Sequence, residues 1–140
     1  AEAQVVANAH ALADSIKPFY GAAASDGLFK LLAGHYGAIK AYLTATVAGS
    51  KSGQDAAMKG MLDNADQIAT FLSGANPNLP KDAVLGLLQA HVGHHVNQIE
   101  ALKAKHYDEE AKNWADMREH MNVISDALIG AIAKQFPDKF

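Results

Sequence analysis

The residues best suited to chemistry lie in Ala90-His91-Val92-Gly93-His94-His95, which places three of the chain's seven histidines within one short stretch. On a helix, His91 and His95 stand one turn apart on the same face. Two neutral imidazoles in that arrangement can share a metal ion, zinc or copper, or serve a haem iron. Further donors must come from neighbouring helices, so the candidate metal set is His91, His95, His35, His94 and His120. Asn64, Asp66 and Asp116 are candidates to orient these rings, because a ligating imidazole is normally held by a hydrogen bond at its other nitrogen. His35 resembles His91 in its setting: each follows a Leu-Leu pair at the same offset and stands where Leu or Ile would be expected on a core stripe. A buried polar ring left unpaired costs about 1–3 kcal/mol. Each ring therefore needs a metal or, in the plainer reading, an Asn, an Asp or a backbone carbonyl.

Other chemistries find little support. There is no cysteine, which removes disulfides, thiolate zinc sites, iron–sulfur clusters and covalent haem attachment. Glu-x-x-His, the di-iron signature of helical bundles, is absent, as are His-Glu-x-x-His, a glycine-rich phosphate loop and a serine elbow. No base, nucleophile and oxyanion site can be assembled together, so binding is expected rather than catalysis. The formal charge is −3 and the basic residues are scattered, which argues against a nucleic-acid partner. No apolar run reaches the roughly 20 residues of a membrane span. The opening Ala1-Glu2-Ala3, without Met, has the look of a processed exported or periplasmic protein.

The elements that position the histidines are helices. Apolar residues recur at helical spacing in five segments, and no segment alternates with period two. The first runs from residue 2 to 20 with Val5, Ala9, Leu12, Ile16 and Phe19, and ends or kinks at Lys17-Pro18. The second starts from an N-cap at Asp26 and stops at Gly49-Ser50; the third starts from Ser52. After the breaker Gly74-Ala75-Asn76-Pro77-Asn78-Leu79-Pro80, the fourth carries Val84, Leu87, Leu88, His91, His95 and Ile99 to about Lys105. Asp108 caps the fifth, and Pro137 closes it. Trp114, Met58, Met61, Met117 and Met121 read as core packing. Tyr20, Tyr36, Tyr42 and Tyr107 are potential hydrogen-bond partners for buried histidines.

The chain also matches itself at a shift of 56 residues. Leu31-Leu32 falls on Leu87-Leu88, His35 on His91, Gly37 on Gly93, Met61 on Met117, Asn64 on His120 and Ile68 on Ile124. The same shift lays Val5, Asn8 and Leu12 on Met61, Asn64 and Ile68. The fold expected is all-α: one domain over residues 1–140, an antiparallel up-down bundle of five helices made of two and a half helical-hairpin repeats. Its units are a half repeat at 1–25 and whole repeats at 26–81 and 82–137. The first helix then lacks its hairpin partner, which leaves a groove for an upstream helix or a second copy of the chain. A helical interaction or homo-oligomerisation module is accordingly the alternative to metal or haem binding.

Ile16-Lys17-Pro18-Phe19-Tyr20-Gly21, the stretch from Asn64 to Pro77, and the ending Lys134-Gln135-Phe136-Pro137-Asp138-Lys139-Phe140 resemble a family of small bacterial all-helical proteins built of tandem hairpins. The resemblance covers nearly the whole chain and implies architecture and repeat count, not an activity. It also implies a further N-terminal helix, with its own histidine at the equivalent repeat position, that has no counterpart in this sequence.

Overall fold

In the computed structural model, which describes residues 2–140, the periodic segments are α1 (Glu2–Ser15), α2 (Lys17–Tyr20), α3 (Ala22–Ala48), α4 (Lys51–Ala75), α5 (Lys81–Ala104) and α6 (Tyr107–Gln135). A single 3-10 turn, Pro137–Lys139, follows, and no strand occurs among the described residues. α1 and α2 are the expected first helix, broken at Ile16 because Pro18 in the first turn of α2 has no N–H to continue the ladder. The architecture is the expected antiparallel helical bundle. α3 packs on α1, α4 and α5, and α5 in turn packs on α4 and α6.

Three helix starts differ from their sequence assignments. α3 begins at Ala22, after Gly21 (φ 84°), so Asp26 lies inside the helix rather than at its cap. Ser50, not Ser52, caps α4, its hydroxyl accepting from the Gly53 N–H at 3.2 Å. His106, not Asp108, occupies the N-cap of α6; Asp108 sits in the first turn, where its charge complements the helix dipole. In the first and last cases the chain enters the helix by backbone geometry alone, which leaves no side-chain signature.

α3 and α5 end alike. Gly49 (φ 68°) and Lys105 (φ 61°), 56 positions apart, both adopt the left-handed conformation. The next N–H reaches back to the helix in each: Ser50 to the Ala45 carbonyl and His106 to the Ala101 carbonyl, both at 2.9 Å. This turn satisfies carbonyls that a helix end leaves open.

The core is in two parts. Tyr42, Ala57, Met61, Val92 and Ile99 form one cluster. Ala69, Leu79, Val84 and Ala131 form the other. The second part lies towards an end of the bundle closed by the C-terminal residues. There Phe136 and Phe140 each pack against Phe19 at 5.6 Å between ring centroids, and Lys139 donates to the Pro18 carbonyl at 2.6 Å. Beside them the Tyr20 hydroxyl donates to Gln135 Oε1 (2.7 Å) and accepts from the Asn76 amide (2.9 Å). Tyr20 and Tyr42, which donates to Glu100, thus serve partners other than histidine.

Several residues expected in the core are not there. Met61 and Met117 are buried, but Trp114 is 51 % and Met121 40 % exposed, and Leu12 is 49 % exposed while Ala9 and Ala13 of its helix are buried. The cause is one-sided packing. α1 leans on α3 through small residues and α6 leans on α5, so the remaining apolar face of each is left uncovered.

Candidate metal centre

Each histidine of the cluster is placed by a long helix: His35 by α3, His91, His94 and His95 by α5, and His120 by α6. His35, His91 and His95 each bring one ring nitrogen to within 4.8 Å of the other two. His91 and His95 are one turn apart, as their spacing requires, with their Nε2 atoms 3.0 Å from each other. His35 faces them from α3, its ring centroid 5.7 Å from that of His91 and 6.0 Å from that of His95.

Asn64 fixes the orientation of His35. Its Nδ2 donates to the Leu31 carbonyl at 3.0 Å, so its Oδ1 must be the atom 3.1 Å from His35 Nδ1. An amide oxygen only accepts, so His35 Nδ1 carries the proton and Nε2 keeps its lone pair. That Nε2 is buried and has no protein partner. Gly34 leaves room beside this bond: a Cβ there would stand 3.3 Å from Asn64 Nδ2, tighter than an ordinary contact. On α6 the matching bond is made by His120, whose Nε2 donates to the Leu87 carbonyl at 2.8 Å. Asn64 with Leu31 and His120 with Leu87 are 56 positions apart at both ends.

His120 and His94 therefore stand beside the converging triad. Their rings are 5.2 Å apart, and His120 lies 6.3 Å from His91, with one nitrogen committed to a carbonyl. The two candidate carboxylates are engaged elsewhere. Asp66 pairs with Lys81 at 2.8 Å and Asp116 with Lys112 at 2.7 Å, and all four side chains are substantially exposed. Each carboxylate sits on the outer part of its helix face, where a lysine is a closer partner than any ring. Asn113, on the same face of α6 as Met117 and His120, has a buried Nδ2 with no partner. Sequence reasoning overlooked it, because under the 56-residue shift it replaces an alanine, Ala57.

The electrostatics keep the triad neutral. Burial, followed by the neighbouring rings of His95, His35, His120 and His94, lowers His91 to about 3. Burial, then His35 and His94, lowers His95 to about 4. Burial also lowers His35, partly offset by its bond to Asn64. Neutral imidazole is the form that ligates metals. The arrangement can hold a metal ion on three nitrogens, with Asn64 orienting one of them.

No protein-family model matches the chain. No curated protein and no solved structure matches it either.

Proposed function

We propose that the protein is a non-enzymatic metal-binding bundle that holds one zinc or copper ion on His35, His91 and His95. The observation that carries this reading is the convergence of three neutral ring nitrogens within 4.8 Å, contributed by two helices. A tetrahedral ion with bonds of about 2.0–2.1 Å holds its nitrogens about 3.3 Å apart. The His91–His95 pair at 3.0 Å is already near that spacing, and His35 offers a ring nitrogen within 4.8 Å of both. Three protein ligands leave a fourth position for water or another small ligand. The triad contains no carboxylate, so the ion's charge is not neutralised by its ligands and the fourth position favours an anion such as hydroxide. Haem fits less well. Axial imidazoles stand on opposite sides of the iron, about 4 Å apart at twice a metal–nitrogen bond, and two rings of one helix meeting at 3.0 Å do not straddle a porphyrin.

The test is a zinc titration of the tag-free chain against a competing chromophoric chelator. One equivalent should bind. His35→Ala, His91→Ala and His95→Ala should each weaken binding by about a hundredfold or more, and His94→Ala and His120→Ala by about threefold or less. Equal losses for all five variants would disprove the assignment of the triad.

A further inference from the structure

A cavity of about 220 Å³ runs inside the bundle from His35 and His91 towards the Asn76 turn. Its wall is almost wholly hydrocarbon, with Leu32, Ile68, Leu72, Leu88, Ile124 and Leu128 among its lining. Four of its lining residues carry side-chain nitrogen or oxygen: Tyr20, Asn76, His35 and His91. Tyr20 and Asn76 are satisfied by each other, by Gln135 and by the Asn78 N–H. His35 Nε2 and His91 Nδ1 are buried without a partner. In the metal reading His35 Nε2 and His91 Nε2 turn to the ion, and His91 Nδ1 still lacks one. The cavity is reached between α1 and α6, where its lining residues Leu12, Met121 and Ala127 are exposed.

An apolar cavity of about 150 Å³ stays dry and takes up benzene, and this one is larger. Burying an ion in such a wall is heavily unfavourable, and no Asp, Glu, Lys or Arg stands among its described lining to pair with one. A hydroxyl can either accept from His91 Nδ1–H or donate to its lone pair, so it suits both tautomers of that ring. We propose that the cavity binds a small neutral apolar molecule with a single hydroxyl, of the phenol or alkanol class, its body among the leucines and its oxygen at His91 Nδ1. The proposal rests on the histidine cluster and the cavity and holds with or without a bound metal.

The test uses 1-naphthol and naphthalene, titrated into the tag-free chain after chelator treatment, with zinc uptake measured on the same preparation. Saturable one-site binding of 1-naphthol is expected, about tenfold tighter than naphthalene, the difference being one buried hydrogen bond. His91→Phe should erase that preference. Ala127→Trp, at an exposed position of the mouth, should abolish binding of both probes while circular dichroism stays helical. The proposal is overturned by no saturable binding up to about 1 mM, by binding that Ala127→Trp leaves untouched, or by a preference that survives His91→Phe. It is also overturned by a dimer that Ala127→Trp dissociates, since a second copy would then fill the slot. A chain that takes zinc but not naphthol defeats this proposal alone, and one that takes naphthol but not zinc defeats only the metal reading.

Discussion

At the scale of single residues, the protein holds rings whose natural tendency at neutral pH is partial protonation and makes that protonation unfavourable. Asn64 is the residue on which this depends most clearly, because it sets the tautomer of His35 and leaves Nε2 as the free donor. Asn64→Leu should weaken zinc binding by about 10–100-fold, the usual loss when a ligand's supporting bond is removed; competition titration measures it, and an unchanged affinity would show that the bond has no role. A second expectation follows from pH. His91, His95 and His35 accept protons less readily in the folded chain than at the ordinary histidine value of 6.5. The unfolded chain therefore binds more protons as pH falls through 6.5, so stability is full above that value and declines towards the folded values near 4 and 3. Urea denaturation of metal-free protein at pH 7.5, 5.5 and 4.5 should show this decline, and His91→Phe should flatten it. The histidine pair was legible in the sequence, because His35 and His91 interrupt two leucine stripes at one offset. The carboxylates were not: Asp66 and Asp116 look adjacent to the rings by spacing alone, yet Lys81 and Lys112 hold them at the surface.

At the scale of elements, the two long hairpins end their first helices with the same left-handed turn, but one uses glycine and the other lysine. A side chain in that conformation carries a penalty of about 1–2 kcal/mol that glycine avoids. Lys105→Gly should therefore raise stability by about 1 kcal/mol, and Gly49→Ala should lower it by a similar amount; shifts of the denaturation midpoint in these opposite directions are the check. At the closed end, Tyr20→Phe removes the acceptor of the buried Asn76 amide and one bond of Gln135. A loss of about 1–3 kcal/mol is expected, readable as a lower melting temperature. Helix existence was legible because leucine, isoleucine and methionine recur at helical spacing over long segments. Helix starts were less so, since Gly21 and His106 begin α3 and α6 without a side-chain cap bond.

At the scale of the whole molecule, the histidines separate the core into two apolar clusters and lie at one end of a cavity that reaches towards the clasp of Phe19, Phe136, Phe140 and Lys139. α1 and α6 flank the opening of that cavity, and this explains why Leu12 and Met121, correctly read as parts of apolar stripes, end exposed. Periodicity shows that a helix has an apolar face; it does not show whether a neighbour covers it. Among the described residues, no helix is long and apolar enough to cross a membrane. The bundle thus presents a neutral tri-nitrogen site built on rigid helices, with an apolar chamber beside it. X-ray absorption at the zinc edge of the tag-free protein, loaded with one equivalent of zinc and dialysed, reads the ligands of the ion itself. Three imidazole nitrogens at about 2.0 Å and one further light atom are expected, with the imidazole count falling in His35→Ala. A spectrum of oxygen ligands alone, or one identical in wild type and His35→Ala, would contradict the three-histidine site.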